Sequence, residues 1–146
     1  HSFLDVNDYH RYHFPVSGKI MEMEVISADD AAGGITLWDP EQQRYVLHCD
    51  VPGWQSIETR GLVIVETENN GLVALLPIGM SQVSSVNFED NLKVGDTVKK
   101  GDMLGYFLFG GSDFVLLFQK GYEYTPSTET FVHLLMGEEL GRLTKK

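Results

Sequence analysis

The chain has 146 residues, a formal net charge of -10, 42% hydrophobic residues and 15 glycines, a size that suits one domain with a real core. The charge argues against nucleic acid, whose phosphates need Lys and Arg to neutralise them, and against docking on anionic lipid by a basic patch. A single cysteine, Cys49, excludes an intrachain disulfide and a cysteine-rich metal site, and no apolar run approaches the roughly 18 residues of a membrane-crossing helix.

Short β-rich runs recur between turn markers, which predicts a mainly β fold: a compact antiparallel barrel or sandwich-like domain with one or two short helices. Residues 5–13 are the first helix candidate, with Asn7 as a cap and Pro15 limiting the length. A strand over 16–26 opens after Pro15 and is cut by Ser17-Gly18. Residues 34–38 and 45–49 flank a polar Asp39-Pro40 turn. Residues 61–66 and 72–78 flank Asn69-Asn70-Gly71, a hairpin signal because Asn and Gly accept positive φ. A run over 82–88 follows. In 94–102 two glycines stand six residues apart in Gly-Asp turns similar to those of biotinyl and lipoyl carrier domains. Residues 105–109 and 114–118 read as buried strands separated by Gly110-Gly111-Ser112-Asp113. The second helix candidate is 129–135, weakened by β-branched residues and followed by Gly137. No linker or low-complexity segment interrupts the chain, so residues 1–146 form one domain.

Two constellations could carry chemistry. In Asp8-Tyr9-His10-Arg11-Tyr12-His13, two imidazoles stand three residues apart, on one side of a helical turn if the segment is helical. Histidine moves protons near neutral pH, whereas this pair with Asp8 alone is an incomplete set for zinc; two partly buried histidines before a strand is the plainer reading. In Phe109-Gly110-Gly111-Ser112-Asp113, paired glycines allow a strained approach in which the serine hydroxyl attacks the preceding carbonyl. By itself Gly-Gly-Ser between apolar runs is an ordinary hairpin turn.

Taken together, these residues resemble the phosphatidylserine decarboxylase family. The match runs over roughly residues 4–118: Asp8-Tyr9-His10-Arg11-x-His13 with Pro15 and Gly18, then Lys100-Gly101-x-x-x-Gly105-x-Phe107 leading into Gly111-Ser112. The family's membrane enzymes usually read Leu-Gly-Ser-Thr at the last site, where this chain has Gly110-Gly111-Ser112-Asp113. That variant is more similar to the branch containing pyruvoyl-type tryptophan decarboxylases of fungi. Cys49-Asp50-Val51-Pro52-Gly53-Trp54, Thr59-Arg60 and Ile78-Gly79-Met80-Ser81 point the same way. The chain also continues 28 residues past Phe118.

The resemblance implies self-cleavage between Gly111 and Ser112, with Ser112 becoming a covalent pyruvoyl group. That group would form a Schiff base with an amine-bearing carboxylate and accept the electrons released with CO₂, as pyridoxal phosphate does. It assigns His13 to assist Ser112 in self-cleavage and His10 to the decarboxylation step, with no metal. A free amino acid such as tryptophan is the favoured substrate, phosphatidylserine at a membrane the alternative, and a carrier-like or scaffold domain the alternative class. No Met-Lys pair supports a carrier. Partners are the cleaved second chain and an upstream segment, which in the family supplies an acid orienting the processing histidine. Without that acid the chain is expected to stay uncut, with Ser112 still a serine. A cytoplasmic location is expected, with membrane association if an upstream anchor exists. His48 and His133 are expected to be structural, Trp38 and Trp54 to pack in the core or shape a pocket. Asp29-Asp30 and Glu138-Glu139 are expected in solvated loops.

Overall fold

A computed structural model of the chain describes residues 1–28, 35–48, 53–80, 85–108, 111–129 and 132–146. Its strands are β1 (Ser2–Leu4), β2 (Arg11–His13), β3 (Gly18–Ile26), β4 (Ile35–Asp39), β5 (Arg44–His48), β6 (Thr59–Glu66) and β7 (Leu72–Gly79). They continue as β8 (Asn87–Phe88), β9 (Thr97–Val98), β10 (Met103–Tyr106), β11 (Ser112–Phe118), β12 (Tyr122–Pro126) and β13 (Gly141–Lys145). Six form one antiparallel sheet in the order β1-β11-β7-β6-β3-β9, which curls as a half-barrel. A smaller sheet, β2-β10-β8, faces it, and β4-β5 and β12-β13 are separate two-stranded ladders.

Alternation builds the core. From Gly61 in β6 and up to Pro77 in β7 every second residue is buried, and the register sets Val63 opposite Leu75 and Val65 opposite Val73. Directly opposed residues share a face of the sheet, so these four form one apolar surface with Ile20 of β3. Tyr12, Phe14, Leu104 and Phe107, from β2, β10 and the residues just beyond them, close the core from the other side. Each fully buried aliphatic side chain contributes about 1.5–3 kcal/mol. The predicted hairpin at Asn69-Asn70-Gly71 forms: Thr67 N–H donates to the Gly71 carbonyl at 3.0 Å, and Gly71 has φ +64.

Two copies of one turn hold β2 and β3 in place. In Lys93-Val94-Gly95-Asp96 the Asp96 carboxylate accepts the Lys93 N–H at 3.1 Å, and in Lys99-Lys100-Gly101-Asp102 the Asp102 carboxylate accepts the Lys99 N–H at 2.8 Å. The glycines take φ +96 and +92, a left-handed backbone that costs other residues a Cβ clash. Gly95 N–H then donates to the Ile20 carbonyl and Gly101 N–H to the Phe14 carbonyl, both at 2.8 Å. The six-residue spacing of the glycines thus matches the six residues between Phe14 and Ile20.

The short helix lies elsewhere than predicted: it is a single 3-10 turn at Trp54–Ser56. Residues 5–8 make a turn, in which Asp8 N–H donates to the Asp5 carbonyl at 2.9 Å and the Asp8 carboxylate accepts the Asp5 N–H at 2.8 Å. An aspartate that satisfies backbone groups locally competes with helix, and Arg11–His13 goes on as a strand. Among the described residues of 129–135 there is no helix either. Trp38 is half exposed, edge-on to Tyr45 across the β4-β5 ladder, and not in the core. Residues 29–30, Cys49 and the side chains of His48 and Trp54 lie outside the described residues. Among the described residues no helix is long and apolar enough to cross a membrane.

Candidate active site at the Gly111-Ser112 junction

Among the described residues, the strands on either side of Gly-Gly-Ser are not hairpin partners. β10 belongs to the small sheet and β11 to the large one, so the chain changes sheets on its way into Ser112. Gly111 takes φ +87. Among the described residues, its chain neighbours aside, the atom nearest the place of its absent Cβ is a Val6 methyl at 3.9 Å, so the backbone conformation, not crowding by these residues, asks for glycine.

Ser112 opens β11 opposite Leu4 of β1, and its side chain is fully buried. Its Oγ has no hydrogen-bond partner among the described residues. A buried hydroxyl left without a partner costs about 1–3 kcal/mol, and native interiors rarely keep one without a role for it. A hydroxyl without a partner is open to an activating base, which a serine needs before it can attack.

His10 stands over this junction. Its Nε2 accepts the Gly111 N–H at 3.0 Å, and its Nδ1 lies 2.7 Å from the Asp8 carbonyl. A carbonyl only accepts and an N–H only donates, so these partners require the neutral tautomer with the proton on Nδ1. Phe107 stands edge-on to the imidazole with centroids 6.4 Å apart. The residue after Ser112 is also unusual. Asp113 is fully buried, accepting the Phe114 N–H at 2.8 Å, the Gln55 amide at 3.4 Å and the His1 imidazole at 3.0 Å. Burial pushes its carboxyl up to about 6, although the hydrogen bonds from Gln55 and Phe114 favour the charged form.

The structure separates the two histidines. His13, at the end of β2, donates from Nδ1 to the Gly101 carbonyl at 2.9 Å and accepts from the Tyr9 hydroxyl at Nε2, 3.0 Å away. Extended backbone replaces the helical turn that would have put both rings on one side. Between them Tyr12 points into the core, exchanging hydrogen bonds with Asn87, and burial raises its phenol. His133 is exposed, and its Nε2 lies 3.3 Å from Asp8 Oδ1. Glu139 is exposed and pairs with Arg142 at 2.9 Å.

Sequence reasoning missed the buried Asp113, the Tyr9 and Gly101 contacts of His13, and the Asp8 carbonyl that sets the His10 tautomer. Only Asp113 left a signal: one carboxylate at the head of the apolar run Phe114-Val115-Leu116-Leu117-Phe118.

Comparison with known proteins places the chain in a family. The family model described as phosphatidylserine decarboxylase matches residues 1–142. Decarboxylase iboD of Amanita muscaria is 36% identical over 126 residues, which is 80% of this chain and 35% of that protein. A phosphatidylserine decarboxylase proenzyme of Fusobacterium nucleatum is 34% identical over 92% of this chain and 43% of its own length. An L-tryptophan decarboxylase of Psilocybe cubensis is 34% identical over 81% of this chain and 28% of its own. The chain therefore spans less than half the length of these relatives. No solved structure matches it significantly. The match over nearly the whole chain makes this chain a member of the phosphatidylserine decarboxylase family.

Proposed function

We propose that the protein is a self-processing decarboxylase that converts Ser112 to a pyruvoyl group and removes CO₂ from an amine-bearing carboxylate. The observation that carries this reading is the fully buried Ser112 Oγ, without a hydrogen-bond partner among the described residues, directly after Gly111 at φ +87. An orphaned buried hydroxyl fits the precursor of such a group.

In processing, Oγ attacks the Gly111 carbonyl carbon and the peptide bond to the Ser112 nitrogen breaks, leaving an ester. Loss of the Cα proton then expels the Gly111 carboxylate, and water replaces the nitrogen, which departs as ammonia. Once formed, the group supplies an electron sink for the carbon that loses CO₂. His10 is the residue we place at the reacting carbon, holding or returning a proton from Nε2. To His13 we assign the removal of the Ser112 hydroxyl proton. That role needs Nε2 to be released from Tyr9 and brought to Ser112. Substitution separates the two: His13→Ala should leave the chain uncut, whereas His10→Ala should allow cutting and lose CO₂ release.

A free amino acid such as tryptophan is our favoured substrate, on the likeness to relatives named for tryptophan decarboxylation. Phosphatidylserine is the second reading, favoured by the proenzymes that also match. Intact mass of the full-length protein tests the processing: a cut between residues 111 and 112 with a pyruvoyl terminus is expected, and an uncut active enzyme would sink the reading. Hydroxylamine-sensitive CO₂ release from each substrate decides between them.

A further inference from the structure

The C-terminal part of the chain reaches back to the histidine segment. β12 and β13 pair as a hairpin, anchored where Tyr124 stacks on Phe118 of β11 with centroids 5.2 Å apart. The connection between the strands is closed at its base by Ser127 N–H on the Leu140 carbonyl at 3.1 Å and Tyr124 O–H on the same carbonyl at 2.7 Å. From this connection His133 meets Asp8 at 3.3 Å. The other Asp8 oxygen accepts the Asp5 N–H at 2.8 Å, the Asp8 carbonyl accepts His10 Nδ1–H at 2.7 Å, and His10 Nε2 accepts the Gly111 N–H at 3.0 Å. Hydrogen bonds joined through the covalent frame of Asp8 and the His10 ring therefore link residue 133 to residue 111.

We infer that His133 is a positioning residue that clamps the Asp8 turn and thereby holds His10 in the tautomer whose Nε2 faces the Gly111-Ser112 junction. Asp8 is gripped at three places: its side chain by His133 and the Asp5 N–H, its own N–H by the Asp5 carbonyl, and its carbonyl by His10. Loosening the side chain frees the carbonyl to turn, and a carbonyl that turns no longer selects Nδ1–H. The contact is exposed, and exposed pairs of this kind shift an equilibrium by a few-fold only. About a two- to fivefold change in the His10 tautomer ratio is the effect to expect. The consequence for catalysis rests on the function proposed above, but the clamp itself does not.

The test is nitrogen-detected NMR of the His10 ring in the full-length protein, in a Ser112→Ala background that keeps the chain in one piece. His133→Ala should move His10 from one tautomer toward a mixture, and His133→Gln, whose amide nitrogen reaches the place of Nε2 and keeps a donor there, should restore most of the ratio. Asp8→Asn, which keeps the backbone carbonyl and weakens the acceptor, should shift it in the same direction. The double variant should do no more than the larger single. An unchanged His10 spectrum in His133→Ala, or effects of the two sites that simply multiply, would overturn the inference. A full-length protein that never cuts at Ser112 would instead overturn the proposed function and leave this result readable.

Discussion

Gly101 and Gly111 bend the chain with nearly the same φ, +92 and +87, yet their surroundings are opposite. At Gly101 each polar group is answered. Its N–H reaches the Phe14 carbonyl, its own carbonyl accepts His13, and the Asp102 carboxylate takes the Lys99 N–H. At Gly111 the N–H goes to an imidazole, the next residue buries a hydroxyl without a partner among the described residues, and the one after buries a carboxylate. The same backbone device makes a fold-holding turn where its polar neighbours are satisfied. Where they are not, it holds groups ready to react.

The largest test of this contrast is Ser112→Ala. In the full-length protein it should abolish the cut between residues 111 and 112 altogether, read by denaturing electrophoresis, while raising stability by up to about 1 kcal/mol as the orphaned hydroxyl goes. Loss of stability above that size would mean that the hydroxyl is satisfied in solution.

Next comes pH. Asp113 has its carboxyl raised from 3.8 to about 6 by burial, so the folded chain holds a proton that the unfolded chain releases. Its contribution is therefore full below pH 4 and is lost as pH rises through 6, at most roughly 3 kcal/mol. Urea unfolding between pH 4 and 7 should show that fall superimposed on the other groups, and Asp113→Asn should flatten it.

Smaller still, Gly101→Ala and Gly111→Ala should each cost about 1–2 kcal/mol, because both force a Cβ into the left-handed region. The second should slow the cut more than the first, which reaches it only through the Gly101 carbonyl that holds His13, so equal cutting rates in the two variants would break the distinction drawn between the turns. Smallest is Asp102→Ala, about 1 kcal/mol by thermal unfolding for its single backbone contact, with the cut unaffected.

Much of the fold was legible because its causes are local. The Asn69-Asn70-Gly71 turn and the β-rich runs on either side announced β6 and β7, and the Gly-Asp spacing announced the paired turns. The helix expected at 5–13 failed because Asp8 satisfies the Asp5 N–H and closes a turn instead. β1 and β12-β13 carried no periodic signal strong enough to mark them: β1 is three residues long, and β12 is exposed over most of its length. At the site, the residue types were visible but not their company. His10 and His13 read as a pair, whereas one ring sits on Gly111 and the other on Gly101 and Tyr9.

By itself the sequence determined that the chain is mainly β, where most of its turns fall, and the family in which its histidine segment and Gly-Ser site belong. Periods of two, glycine conformations and motif residues are properties of a few neighbours along the chain. Only the tertiary structure decided that residues 101 positions apart, His10 and Gly111, share a hydrogen bond, and that Ser112 is sealed from water with no partner among the described residues. Such pairings depend on which sheet each strand joins, and that choice is made by the packing of the whole core.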